Sequence, residues 1–218
     1  AEEPGKILIL MYGGIDKRPS NRNVTVGSLK KQISLLKENG YKSISLQDLF
    51  DFYYGNKTLP EKSVLITFDT SKKDSYRYVD PIIKEVGYNA VMFLMPEKID
   101  SGDHFFICWR DVENMLKSKR WEFGATSTNG YKYITIDLKG KKGPYLFSRQ
   151  WLGFKNRLET EEEFTERVTK EYTGLKERAE KKVKNLKIAS VNIPYGNYFY
   201  WTNDAINEND PCFLLNKR

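Results

Sequence analysis

The sequence predicts an α/β chain built on a mostly parallel sheet or barrel. Three observations lead there. Short continuous apolar runs recur along the chain: Ile7-Leu8-Ile9-Leu10-Met11, Ser63-Val64-Leu65-Ile66-Thr67-Phe68 and Ala90-Val91-Met92-Phe93-Leu94. Runs of that length without polar alternation read as strands buried on both faces. Stretches with helical apolar spacing separate them, and strand–helix alternation is the signature of parallel pairing.

The elements follow in order. After the first strand, Val26 to Asn39 is helical, with Leu29, Ile33 and Leu36 on one face and Gly40 as its stop. Lys42 to Leu46 is a short strand, and Gln47 to Tyr54 a short helix ending near Gly55. The strand 63–68 ends at Asp69. A helix from Tyr76 to Val86 carries Pro81, which enters or kinks it. The strand 90–94 precedes a helix from Trp109 to Lys119 and a strand end at Trp121-Glu122-Phe123-Gly124. The strongest helix runs from Glu161 to Lys184. Thr160 and Glu163 form a capping-box pattern, acids open it and lysines close it, and Phe164, Val168, Leu175, Ala179 and Val183 make a core stripe. Ile188 to Val191 is a strand, followed by the turn Pro194-Tyr195-Gly196-Asn197, and Cys212 to Leu215 is the last apolar run. The segment from Thr126 to Gln150 has the least regular pattern. In a parallel barrel the C-terminal strand ends carry function, which places Asp69, Thr126 and Pro194 at one mouth.

The 218 residues fit a single domain over 1–218, long enough to bury roughly 70% of the unfolded surface. With 39% hydrophobic and 30% charged residues, the chain is neither a membrane bundle nor disordered. No run of ~18 apolar residues occurs, which excludes a spanning helix. A net charge of +7 permits an anionic partner, but the lysines are dispersed among acids and no zinc-finger, RRM or arginine-rich segment is present. Nucleic acid is therefore not expected. The single histidine, His104, excludes most histidine-built metal sites and reads as a surface residue. Cys108 and Cys212 lie in apolar runs without metal spacing and read as buried thiols, with a disulfide as the alternative. No signal peptide is visible, and Ala1 to Gly5 reads as a mature or trimmed end.

At the strand ends the sequence resembles the polysaccharide deacetylases (the NodB homology domain, carbohydrate esterase family four), closest to the branch acting on poly-N-acetylglucosamine. Leu59-Pro60 through Val64-Leu65-Ile66-Thr67-Phe68-Asp69 is similar to that branch's "LP…SVLITFDDG". Gly40-Tyr41-Lys42, Tyr76 to Lys84 and Ala90 to Leu94 agree around it. Trp121-Glu122-Phe123-Gly124 is similar to "WEIG", and Ile193-Pro194-Tyr195-Gly196 to the "YPYG" turn. The pieces occur in family order over nearly the whole chain. The resemblance implies a distorted (β/α) barrel of mostly parallel strands. It also implies removal of acetyl groups from N-acetyl sugars by a divalent metal such as zinc, held by one Asp and two His, outside the cell, at its surface or in the periplasm.

Carried over residue by residue, the resemblance leaves the metal site incomplete. The family's Asp-Asp matches Asp69-Thr70, so Asp69 stands at the base position and Thr70 at the ligand position. The two histidines of H-[ST]-x-x-H match Thr126 and Gly130, with Ser127 as the [ST]. Gly13 stands where the branch often has His, the late acid histidine has no counterpart, and Asn192 falls near the motif arginine. Asp74 and Asp80 follow Asp69 without the converging oxygens a hard cation needs. The expectation is a site without metal or cofactor. Asp69 is either a vestigial base or a cap on the next helix. Tyr12, Thr70, Thr126, Trp151, Asn192 and Tyr195 are candidate saccharide-binding residues, with Tyr198 and Trp201 as further aromatics. Three readings of function stand open: a domain that binds N-acetylglucosamine-type polysaccharide without deacetylating it, an active N-deacetylase with an unorthodox site, and an interaction domain of a longer cell-wall or exopolysaccharide protein.

Overall fold

The computed structural model describes residues 7–21 and 23–193, together with the backbone of 213–216. The elements run β1 Ile7–Tyr12, β2 Ile15–Asp16, β3 Val24–Thr25, α1 Val26–Glu38, β4 Lys42–Ser43, α2 Leu46–Tyr53, β5 Ser63–Phe68, α3 Lys73–Val86 and β6 Ala90–Leu94. Then follow α4 Pro96–Asp100, α5 Trp109–Ser118, β7 Trp121–Thr126, β8 Tyr133–Thr135, β9 Lys142–Pro144, β10 Trp151–Leu152, β11 Arg157–Leu158, α6 Glu161–Lys182, β12 Ile188–Ile193 and β13 Phe213–Asn216.

The main sheet has the order β1-β5-β6-β7-β12-β13, with β4 added against the start of β5. Every pairing in it is parallel. Parallel strands need crossovers, and helices supply them over one face. That face holds the larger core: Val64, Ile66 and Phe68 of β5, Met92 and Leu94 of β6, and Phe123 and Ala125 of β7 meet Leu29 and Ile33 of α1, Val79 and Ile83 of α3, and Phe164, Val168 and Leu175 of α6. Each such side chain, fully buried, contributes about 1.5–3 kcal/mol.

The alternate residues face the lumen of a half-barrel. Leu65, Val91 and Phe93 form a second cluster there with Ile44, Leu46 and Leu49. The α2 helix therefore closes the lumen at the N-terminal ends of the strands. Lumen-facing Glu122 on β7 fixes this plug, because its carboxylate accepts the backbone N–H of Leu46 at the start of α2. Burial pushes the Glu122 carboxyl up, against the lowering effect of those backbone bonds. Ser45 and Asp48 complete a capping box at the same end. With this end closed, the opposite mouth carries the polar strand ends.

The expected strands and their parallel pairing are present. Several details differ from the sequence reading. The first strand is not buried on both faces: Leu8, Ile9 and Met11 are 37%, 46% and 41% exposed. It pairs with β5 alone among the described residues, and an apolar run does not distinguish a central strand from one at an edge. The strand expected from Lys42 to Leu46 stops at Ser43, because Ser45 takes the N-cap position of α2. The α3 helix begins at Lys73, a turn before Tyr76, and carries Pro81 inside it. The irregular 126–150 segment contains the β8–β9 hairpin. Cys108 is an exposed free thiol at the N-cap of α5, not a buried one, because its apolar neighbours belong to a loop and not to a strand. Cys212 lies outside the described residues, as do Pro194, Tyr195, Tyr198 and Trp201.

Candidate functional site

The sheet brings Asp69, Thr126 and Asn192 to the same end of the lumen. Asp69 follows β5, and its backbone N–H donates to the Tyr12 carbonyl at 3.1 Å, extending the β1–β5 ladder by one bond. Its side chain is buried at 1% exposure. The next helix, α3, takes Lys72 as its N-cap residue without a side-chain cap bond. Thr126 closes β7 and pairs with Asn192 of β12, after a slip of register between Ile188 and Val191. Val191 and Ile193 belong to the core under the helices, so Asn192 between them faces the lumen. Tyr172 of α6 donates to the Asn192 carbonyl at 3.3 Å and fixes that strand end from behind.

Thr126 Oγ1, Ser190 Oγ and Asn192 Nδ2 are buried without a hydrogen-bond partner. These three residues are 0%, 0% and 2% exposed. Buried polar atoms are rarely left so, at a cost of about 1–3 kcal/mol each. Gly124 sets the floor beneath them. A Cβ there would stand 2.4 Å from the Phe93 ring and 2.6 Å from Ser190 Oγ, so only glycine permits this approach.

At the rim, Thr70 Oγ1 donates to the Gly13 carbonyl at 3.2 Å, and Lys72 Nζ donates to the same oxygen at 3.3 Å. A lysine ammonium thus lies beside the position that the resemblance assigns to the metal-ligating aspartate. Thr70, Thr126 and Gly130 offer two hydroxyls and no side chain, and no group of three His, Cys, Asp or Glu among the described residues could hold a metal ion. Such a donor set does not fit the Asp-His-His binding of a divalent cation.

The loop that should carry the histidines is nevertheless well built. Ser127, fully buried, donates to the Glu171 carboxylate of α6 and accepts the N–H of Gly130 at 3.0 Å. Asn129 Nδ2 donates to both Glu171 oxygens at 3.1 and 3.0 Å. Glu171 is the residue that sequence reading missed. It stands three residues after Val168 and four before Leu175, an acid along the apolar face of α6, and that was the available signal.

Other candidates separate from the mouth. Tyr12 is not a sugar platform: it is buried, stacks on Phe68 and donates to Gln32 of α1 at 2.9 Å, and burial pushes its hydroxyl up to about 12. An aromatic residue ending a strand alternates onto the helix face when its register parity demands it. Trp151 is half-buried on the β10–β11 hairpin and is not carried by a strand of the sheet. Tyr195 lies outside the described residues. His104 is fully exposed, and Asp80 is occupied by Arg120 and Trp121 Nε1. A cavity of about 650 Å³ lies outside the barrel, lined by Glu97, Tyr145, Phe154, Arg167, Glu171 and Arg178 among others.

The family model described as polysaccharide deacetylase matches residues 56–210. The poly-beta-1,6-N-acetyl-D-glucosamine N-deacetylase of Escherichia coli K12 is 27% identical over 187 residues, 77% of this chain and 28% of that protein. The chain thus spans well under a third of that relative's length. The polysaccharide deacetylase YxkH of Bacillus subtilis is 32% identical over 103 residues, 47% of this chain and 37% of that protein. Among solved structures, a de-N-acetylase from Aggregatibacter actinomycetemcomitans superposes with a TM-score of 0.80 at 22% identity, covering 93% of this chain and 84% of the other. The BpsB deacetylase domain of Bordetella bronchiseptica gives 0.81 at 21%, covering 98% and 88%. These two share the fold of this chain, a parallel half-barrel. With the matched segment covering well over half of the residues, the chain belongs to the polysaccharide deacetylase family.

Proposed function

We propose that the domain binds an N-acetylglucosamine-type polysaccharide at the lumen mouth and does not deacetylate it by the metal-dependent route of its family. One observation carries the reading: the scaffold of the mouth is kept while all three ligand positions have lost their metal-binding groups. Asp69 and the 126–130 loop hold their places, but Thr70, Thr126 and Gly130 replace a carboxylate and two imidazoles. Thr70 and Thr126 are small and polar, so the space stays hydrogen-bonding and does not fill with hydrophobes. Asp69 supplies a carboxylate for sugar hydroxyls, with Thr70 and Asn192 beside it, and Trp151 and Tyr195 remain aromatic candidates for the longer contact surface. Without metal–carbonyl attraction, affinity is on the order of 1 mM, about −4 kcal/mol. The setting is extracellular, cell-surface or periplasmic, and the domain acts as one part of a longer exopolysaccharide-handling protein.

The test is a titration of the labelled protein with N-acetylglucosamine oligomers, beside a deacetylation assay with elemental analysis. Expected are amide shifts centred on Asp69 and Thr70 at millimolar ligand and no acetate release. Chelator-sensitive release with stoichiometric metal would sink the reading. So would a mouth unperturbed at tens of millimolar oligomer, roughly ten times the expected dissociation constant.

A further inference from the structure

Thr126 and Asn192 are register partners on adjacent parallel strands, and both side chains face the lumen. Partners in register bring their side chains close enough for both to reach one ligand atom. The unpartnered atoms are complementary to one kind of group. Asn192 Nδ2 can only donate, and a threonine hydroxyl can donate or accept. Together they offer two donors to one acceptor with two lone pairs. Neither atom carries charge. The floor at Gly124, Phe93 and Ser190 is closed by packing, and Tyr172 holds the Asn192 backbone, so the pair is preorganised.

We propose that Thr126 and Asn192 form an uncharged cradle for the carbonyl oxygen of a secondary amide, the N-acetyl group of the sugar. This rests on the saccharide reading and names the group it recognises. Two neutral donors take the position of carbonyl polarisation that a metal would otherwise supply, with binding as the result and no bond broken. The cradle discriminates by what it leaves unpaired. A free-amine sugar presents an ammonium, which only donates, so the Asn192 donor gains nothing and stays unsatisfied. Sites built on buried hydrogen bonds reject analogues lacking the matching atom for this reason. At 0% and 2% exposure the pair is shut off from solvent, so capture requires local opening of the mouth, and the low dielectric then strengthens each bond made.

The experiment follows the side-chain NH₂ resonances of Asn192 in the ¹⁵N-labelled 218-residue protein. The probes are an N-acetylglucosamine oligomer, the glucosamine oligomer of equal length, and N-methylacetamide. The acetylated oligomer and N-methylacetamide are expected to shift these resonances, with the free-amine oligomer binding weaker on the order of tenfold or more. Thr126→Val is expected to lower affinity for the acetylated oligomer by a similar factor. The wild-type resonance decides the matter even where that variant folds poorly. If the acetylated oligomer shifts Asp69 and Thr70 while the Asn192 side chain stays silent, the cradle is overturned and the saccharide reading stands. If N-methylacetamide alone moves Asn192, the cradle stands and the polysaccharide reading falls. If no probe moves Asn192 and the oligomers leave Asp69 and Thr70 unmoved as well, both fall.

Discussion

The lumen mouth and the outer face along α6 hold comparable polar side chains and treat them in opposite ways. On the outer face, Arg167, Glu159 and Glu163 are partnered several times over. Arg167, with its side chain 15% exposed, meets Glu159 at 6% through two bonds of 2.8 and 2.9 Å. It also donates to the carbonyls of Tyr145 and Ser148 and lies over the Tyr145 and Phe164 rings. Glu159 further accepts the Gln150 N–H at 2.8 Å. Glu163 takes Arg157, Lys155 and the Thr160 N–H. At the mouth, Thr126, Ser190 and Asn192 are equally buried and carry atoms with no such partners. Full partnering marks groups whose work is to hold the β10–β11 hairpin onto α6. Ser75 and Glu97 also carry an unpartnered buried oxygen, but singly, whereas Thr126, Ser190 and Asn192 lie together at one end of the lumen, and it is this clustering that sets the mouth apart.

Removing a partner on each face measures this difference, and the largest effect belongs outside. Glu159→Ala leaves the Arg167 charge buried without its counter-ion. The expected cost is about 3–5 kcal/mol in denaturant unfolding. A loss below ~1 kcal/mol, the level of an exposed ion pair, would show that the outer network is ornamental and remove one side of the contrast. Inside, shape dominates over charge. Gly124→Ala drives a methyl into the Phe93 ring and Ser190, for an expected loss of about 1–3 kcal/mol in the same measurement. A neutral result would mean that the lumen floor is slack and that Thr126 and Asn192 are not held in place.

The pH dependence separates two carboxylates with opposite shifts. The Arg157 guanidinium, then Lys155 and the Thr160 N–H, hold the Glu163 carboxyl well below the usual carboxylate range. A depressed folded value contributes stability that is present above the unfolded pKa, roughly 4.3, and is lost as pH falls toward the folded value. Burial raises Glu122 instead. Its contribution is present below the unfolded value and is lost as pH rises through the folded one. Thermal melts of Glu163→Gln from pH 6 downward are therefore expected to show a flatter acid limb than the wild type. Glu122→Gln is expected to remove a decline that sets in as pH rises past the unfolded carboxylate value. An unchanged acid limb in Glu163→Gln would remove the outer network's claim on the carboxylate.

The parallel sheet was legible in the sequence because continuous apolar runs and helical spacing are local patterns, and its mouth was legible because Asp69 and Thr126 end such runs. The α6 cap was legible too: Thr160 and Glu163 form the capping box expected of them, with the Thr160 hydroxyl accepting from Glu163 at 3.2 Å. What escaped reading depends on register and long-range contact. Tyr12 stands two residues from Gly14 at a strand end, and only the parity of β1 against β5 sends its ring under α1 and not into the mouth. Glu171 is one of several acids on a helix rich in them, and its service to Ser127 and Asn129 spans more than 40 residues. Leu8, Ile9 and Met11 spell a central strand by composition, while their exposure is a property of the neighbours they have.

The smallest expected effect gives the sharpest form of the comparison, because it sets one residue type against itself. Thr160 and Thr126 are both threonines at element ends. The Thr160 hydroxyl caps α6, and Thr160→Ala is expected to cost about 1 kcal/mol. The Thr126 hydroxyl has no partner, so Thr126→Val keeps the shape, removes a buried unsatisfied oxygen and breaks no bond. Its expected change is between zero and a gain of about 1 kcal/mol. Denaturant unfolding of the two variants in one buffer decides between the two accounts of the mouth. If Thr126→Val costs as much as Thr160→Ala, the Thr126 hydroxyl is pinned like the outer groups, and the lumen donors are part of the fold's own bonding. If it costs nothing while weakening the acetylated oligomer, the hydroxyl is kept for a ligand at the expense of the fold, as a binding site requires and a scaffold does not.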